Sequence, residues 1–370
     1  MFPQNNIVLI GNALVSQSKS LRNLKKRVIN IDSFNDKDLI GENYLNPDPQ
    51  GRVNKDVILI IKNLNLDKKD TLIITSSEYE NDIDYFTELK KYGTPLGNSQ
   101  SNICDIYDHR KIFKKLKKQN IKFPEKLSNN ELNNKDYIKK SFHSSGGLNL
   151  KKNEFSEDLN KDEFYQTFID GDSYSVIFIC KNKEFSIVGI NKIFSKKTKF
   201  SEFTFSGAYS NLDLKKEVID SLKRIINFFV KNYNLVGLNG IDFILSDDVY
   251  FLEINPRITQ TCFMYEDNFS DGFLNAHIEA CSQNNKKIEI NDDKSYFAFE
   301  TIFANSSFNF NIDTQELNFL INIPKQNTFI EVGYPICTIC SKSNTNESLK
   351  SVMSERLQLV KNKLKNVEII

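Results

Sequence analysis

The chain of 370 residues has no tryptophan and only three histidines. Those histidines, His109, His143 and His277, form no H-x-x-x-H or H-x-E pair, which argues against a zinc enzyme. Six cysteines are scattered over the length, a usage that fits reduced thiols better than a disulfide framework. Cys337 and Cys340 make a lone C-x-x-C with no second pair and no nearby histidine, so structural thiols are expected there. Charge of one sign is also missing. Lys and Arg total 49 against 48 Asp and Glu, a net charge of +1, and no concentrated basic face for nucleic acid or a membrane surface is expected. No apolar run approaches the ~18 residues of a membrane span. The start, "MFPQNNIVLIGN", lacks the basic and apolar parts of a secretory leader, so a cytoplasmic location is expected. Three catalytic signatures are absent as well: the G-x-S-x-G elbow, the Walker P-loop and the glycine-rich dinucleotide fingerprint.

What is present is patterning. The first hundred residues alternate apolar strands with helical stretches. "NIVLIGNALV" (Asn6 to Val15) reads as a strand ending in Gly11, and "LRNLKKRVINID" (Leu21 to Asp32) as a helix-like stretch and a second strand. "TLIITSSEYE" (Thr71 to Glu80) reads as another buried strand, and "IDYFTELKKYG" (Ile83 to Gly93) as a helix closed by glycine. This alternation predicts a parallel, Rossmann-like module over residues 1–100. A helix is expected from near Asp108 to before Pro124, with the lysines of "FKKLKKQNIK" on its wet face. The stretch from Glu163 to Phe194 reads as an antiparallel meander, and Asp213 to Leu235 as an amphipathic helix. "FLNAHIEACSQNN" (Phe273 to Asn285) looks helical, which makes His277 a structural histidine by preference. From about Lys294 the chain is β-rich and ends in a lysine-rich helix. The expected division is therefore 1–100, 101–290 and 291–370.

Three stretches could carry chemistry. "GLNGIDFILSDDVYFLEINPRITQT" (Gly237 to Thr261) reads as two strands around the turn Ser246-Asp247-Asp248. A hairpin folded there sets Asp242 beside Glu253, and the period of two puts Asn255 on the face of Glu253. Such an oxygen-rich set with few protein ligands suits Mg²⁺ shared with phosphate, and Arg257 follows after Pro256. Solvated strand ends are an equal alternative on pattern alone. "IKKSFHSSGGLNL" joins a lysine leaving a strand to a Ser-Gly loop, which is what a phosphate cradle needs, or a plain hairpin loop. "FYQTFIDGDSYSV" is a strand and acidic turn able to hold an adenine edge and a ribose, and taken alone it is only a turn.

In order, these pieces resemble the ATP-grasp superfamily, specifically its carboxylate–amine ligases and the branch related to biotin carboxylase. "DFI…FLEINPR" is the most specific part. The resemblance implies an α/β fold, more finely the α+β ATP-grasp arrangement. That is a Rossmann-like N-terminal module, a two-part ATP-grasp domain holding nucleotide and metal, and a small β-rich C-terminal module. It implies Asp242, Glu253 and Asn255 as ligands of Mg²⁺ (or Mn²⁺) bridging the ATP phosphates. Arg257 would hold transferred phosphate, and Lys139 would contact the phosphates under a loop of Ser144, Ser145, Gly146 and Gly147. Gln166, Thr167, Phe168 and Ile169 would line adenine, and Asp172 would take the ribose. A second phosphate-contacting cation is left open among His109, Arg110 and Lys111. The implied activity is an ADP-forming ligase that activates a small-molecule carboxylate as an acyl phosphate and joins it to an amine. Cofactor biosynthesis is one setting for it, and a homodimer is an open option. The alternatives are carboxylation through carboxyphosphate and non-catalytic nucleotide binding. Glu266 with no histidine after it departs from the biotin-carboxylase pattern, which argues against bicarbonate chemistry.

Overall fold

Continuous runs of β-branched residues need cover on both faces, and the first module supplies it. The computed structural model describes residues 2–76, 83–141, 146–210, 212–282, 287–291, 293, 295–364 and 367–370. Its first five strands are β1 (Asn6–Gly11), β2 (Arg27–Asp32), β3 (Glu42–Leu45), β4 (Thr71–Thr75) and β5 (Thr94–Leu96). They form a parallel sheet of order β3-β2-β1-β4-β5, as the alternation predicts. The order reverses at β1, so the crevice beyond the ends of β1 and β4 is a topological switch point, where open α/β sheets bind ligands.

The α-helices among the described residues of this region are α1 (Val15–Ser20), α2 (Lys55–Asn63), α3 (Ile83–Leu89) and α4 (Gln100–Tyr107). The helix expected over Leu21 to Lys26 lies earlier, at α1. Buried Asp32 accepts the Leu14 N–H at 2.8 Å, which starts the helix directly after β1 and leaves the next residues as a turn. Asn54 caps α2 by accepting from Asp56 and Val57, and that helix buries Val57, Ile58 and Ile61 against the sheet.

Helix α5 (His109–Lys118) starts where expected, capped by Asp108 through the Lys111 N–H. A small sheet follows, built from β6 (Lys126–Leu127), β7 (Tyr137–Ser141), β8 (Lys151–Lys152) and β9 (Glu163–Thr167) in the order β6-β9-β7-β8. The larger sheet begins with β10 (Asp172–Lys181), β11 (Glu184–Lys196), β12 (Thr204–Tyr209), β13 (Gly237–Leu245) and β14 (Val249–Asn255). The expected meander is thus split, because β9 belongs to the small sheet and β10 to the large one. The N–H groups of Thr167 and Phe168 go to Glu125 and Asp136 of the small-sheet region, and the chain then crosses to the large sheet. Between β12 and β13, α6 (Lys216–Tyr233) buries Leu222, Ile225, Ile226 and Phe229 on one face of the large sheet.

After β14 come a kinked 3₁₀ segment (Gln260–Asn268) and α7 (Phe273–Cys281), which share a core with α1 and the N-terminal sheet. The last strands are β15 (Tyr296–Phe303), β16 (Phe308–Phe310), β17 (Leu320–Ile321), β18 (Thr328–Ile330) and β19 (Pro335–Ser343), closed by α8 (Asn346–Lys363). β16 and β18 pair with each other, while β15, β19 and β17 extend the large sheet to the order β14-β13-β10-β11-β12-β15-β19-β17. Cys337 is buried on β19, and burial pushes its thiol up to about 12, so it packs and does not react.

His277 has the structural role expected of it. Its Nδ1 accepts the Leu238 N–H at 3.0 Å and its Nε2 lies 3.6 Å from the Cys281 sulfur, which ties α7 to the start of β13. Burial lowers its pKa from 6.5 to about 4. A group whose folded pKa is depressed in this way must stay neutral in the fold. Its contribution is present above pH 6.5, the unfolded value, and is lost as pH falls toward 4. Urea unfolding between pH 7 and pH 4 is expected to show a loss of about 3 kcal/mol from this group. His277→Gln keeps the acceptor and should flatten that part of the pH dependence; an unchanged slope in the variant would refute the assignment.

Candidate active site

The β13–β14 hairpin has the predicted register. Asp242 stands opposite Glu253 and Gly240 opposite Asn255, with an irregularity between Asp242 and Phe243. Asp242, Glu253 and Asn255 face one cavity. The Asn255 amide nitrogen donates to Asp242 Oδ2 at 3.0 Å, and Asn255 Oδ1 accepts from Arg257 Nη2 at 3.2 Å. Pro256 ends the ladder, and its carbonyl accepts from Asn98 at 2.8 Å. Asn98 also donates to Asn239 Oδ1 at 2.7 Å and accepts the Val236 N–H at 2.9 Å. This buried amide therefore ties the start of β13, the strand that carries Asp242, to the end of β14. Beneath it, Tyr265 donates to Asn191 at 2.6 Å and Asn191 to Ser175 at 3.2 Å.

The lysine in the cavity is Lys140, not Lys139. Ile138 and Lys140 line the cavity, and Lys140 Nζ donates to Glu253 Oε2 at 2.9 Å across the gap between the two sheets. The Lys139 ammonium lies 3.0 Å from Ser156 Oγ and 3.5 Å from Glu154. The reason is the period of two along β7, which turns consecutive lysines to opposite faces. Ser144 and Ser145 lie outside the described residues. Gly146 and Gly147 line the cavity at positive φ, 61° and 71°. A Cβ on Gly147 would sit 1.8 Å from the Phe203 carbonyl oxygen, so only glycine lets this loop lie against the chain entering β12.

Gln166, Thr167, Phe168 and Ile169 all line the cavity. The Gln166 amide nitrogen donates to the Pro124 carbonyl at 2.9 Å, and the N–H of Ile169, in the hinge segment that links the small sheet to the large one, has no hydrogen bond among the described residues. Asp172 differs from the expectation. It forms an ion pair with Lys192 at 2.7 Å and is not among the lining residues, while Ser173 and Ser175 are. Lys111 pairs with Asp108 at 2.8 Å on the exposed side of α5, and the side chains of His109 and Arg110 lie outside the described residues. Glu266 is away from the cavity: it accepts from Ser20 Oγ at 2.7 Å and from the Phe273 N–H at 3.0 Å, joining α1 to α7.

The cavity has a volume of about 560 Å³. One end is apolar, with Ile138, Leu148, Leu150, Phe168, Phe203 and Phe205. The other end holds Lys140, Arg257 and the carboxylates, and opens on Asn12, Gln17, Gln50 and Ser76 from the loops of the N-terminal sheet. Asn12 follows β1 and Ser76 follows β4, at the switch point. The sequence reading missed these loop residues, and the strand order that would reveal them is not written in any local pattern.

The electrostatics of the polar end follow from its two adjacent carboxylates. Burial and the neighbouring Glu253 carboxylate raise the Asp242 pKa, while the Asn255 amide, Arg257 and Lys140 lower it. Two adjacent carboxylates are a site for positive charge. Among the described residues no group of three or more His, Cys, Asp and Glu side chains could hold a metal ion. Two carboxylates plus an amide fit a hard cation that takes its remaining oxygens from phosphate and water, as Mg²⁺ does.

A family model described as "ATP-grasp domain" matches residues 106–261, the span from α4 to the end of the hairpin loop. An uncharacterized protein of Methanocaldococcus jannaschii is 29% identical over 93% of this chain and 90% of its own length. A tyramine–L-glutamate ligase of Methanocaldococcus fervens is 27% identical over 55% of this chain and 63% of that protein. Among solved structures, a biotin carboxylase–ATP complex from Campylobacter jejuni superimposes with a TM-score of 0.71 at 12% identity, over 99% of this chain and 92% of that one. Residues 106–261 thus match an ATP-grasp domain, and with its parallel N-terminal sheet, its two larger antiparallel sheets and the cavity between them, the chain has the ATP-grasp fold.

Proposed function

We propose that the protein is an ADP-forming ligase that converts a small-molecule carboxylate to an acyl phosphate and passes the acyl group to an amine. The observation that carries this reading is the grouping of Lys140, Glu253, Asp242, Asn255 and Arg257 at the cavity end that faces the N-terminal loops. Adenine occupies the apolar end, against the Ile169 N–H. Asp242, Glu253 and Asn255 would hold Mg²⁺, whose charge offsets that of the phosphates. Lys140 neutralises Glu253 and can leave it for a phosphate oxygen once cationic charge arrives. Arg257, reaching from Asn255 toward the Ser76 carbonyl at 3.4 Å, spans the boundary between the phosphate end and the N-terminal loops. The substrate carboxylate is held there. Its oxygen attacks the γ-phosphorus, the bond from γ-phosphorus to the β–γ bridging oxygen breaks, and ADP leaves with the electron pair. The amine nitrogen then attacks the carbonyl carbon, loses its proton, and phosphate departs. Alignment and charge neutralisation supply the acceleration. The M. fervens relative, a tyramine–L-glutamate ligase by name, supports this class of reaction.

Three outcomes test the reading. Glu253→Gln should lower ADP release by about 10²-fold or more while thermal unfolding stays within about 3 °C of the parent. Full turnover in that variant would remove the metal assignment. Lys140→Ala should lower kcat/KM for ATP by about 10²-fold and Lys139→Ala by no more than about threefold; the reverse ranking would restore Lys139 to the phosphates. With hydroxylamine in place of the amine, a panel of carboxylates should yield a hydroxamate and ADP in equal amounts. ADP release stimulated by bicarbonate, with no hydroxamate from any carboxylate, would replace ligation by carboxylation.

A further inference from the structure

The ribose end of the cavity has an unexpected chemistry. On the large sheet, Ser175 stands opposite Asp242 and Ser173 opposite Ile244. Directly paired residues share a face, so Ser173 and Ser175 look into the cavity with Asp242. Two residues advance a strand by about 7 Å, which puts Ser173 one step from the phosphate end toward the hinge at Ile169. A nucleotide with its adenine at the hinge and its phosphates at Asp242 must pass its sugar over Ser173.

Asp172 is turned the other way. It stands opposite Leu245, on the face of Tyr174, whose ring stacks on Phe243 with centroids 5.4 Å apart. Its carboxylate is held by Lys192 at 2.7 Å. The carboxylates among the described lining residues are Asp242 and Glu253, both at the phosphate end. Among the described residues, the sugar therefore meets a hydroxyl and no carboxylate.

We propose that Ser173 is the residue that contacts the ribose hydroxyls, and that the site discriminates weakly at the 2′ position, so that dATP serves nearly as well as ATP. The inference rests on the nucleotide reading above. A neutral hydrogen bond contributes a factor of about 10 or less in affinity, whereas one to a carboxylate contributes about 10 to 100.

The test is calorimetric binding of ATP and dATP, each with Mg²⁺, to the full chain and three variants. The parent should bind ATP no more than about tenfold tighter than dATP. Ser173→Ala should bring the two nucleotides level. Asp172→Asn should leave their ratio unchanged. Ser173→Asp, which places a carboxylate under the sugar, should raise the ratio above about tenfold. A larger ratio in the parent, or its collapse in Asp172→Asn, overturns the proposal while leaving ATP binding itself intact. Failure of the parent to bind either nucleotide overturns the nucleotide reading and this inference with it.

Discussion

The ion pair of Lys140 and Glu253, 2.9 Å long, joins the charged groups of the two sheets across the cavity. Glu253 stands in direct register with Asp242, and two like charges side by side are unfavourable unless positive charge is near. One sheet supplies the carboxylates and the other the cation. The site is therefore held together by the same charges that a nucleotide and its metal would use. Both lysine and carboxylate are partly shielded, with side chains 16% and 27% exposed, so the pair is screened less than one on the surface.

Around that pair, rigidity comes from buried amides and not from charge. Asn98 ties β13 and the Pro256 carbonyl together, Asn239 bonds the carbonyls of Val236 and Gly237, and His277 holds the Leu238 N–H. Each group is neutral and buried, so each keeps its geometry without a salt-dependent contribution. Glu266 serves the same purpose further out, by clasping Ser20 of α1 and the start of α7. The N-terminal loops thereby keep a defined position over the polar end, with Arg257 as the residue that touches both regions.

Much of this was legible in the chain itself. The hairpin from Gly237 to Asn255 was readable because its turn residues and its period of two are local properties, and they set Asp242 beside Glu253 without any tertiary information. The start of α5 at Asp108, the helix bearing His277 and the parallel first sheet were readable for the same reason. What a single strand cannot announce is which of its faces will be covered. Lys139 and Lys140 are identical in kind and adjacent, as Asp172 and Ser173 are adjacent; the resemblance pointed to Lys139 and Asp172, while Lys140 and Ser173 line the cavity.

The sequence by itself determined the elements, their order and the carboxylate pair, because local propensity and strand periodicity need only neighbours in the chain. Tertiary structure decided that β9 and β10 part at Thr167 into different sheets, and that Lys140 and Ser173 face the gap between them. It also brought Asn12, Gln17, Gln50 and Ser76 to the far end of the cavity. Those outcomes depend on strand order and sheet placement, which arise from contacts between residues far apart in sequence. No short stretch of the chain contains them.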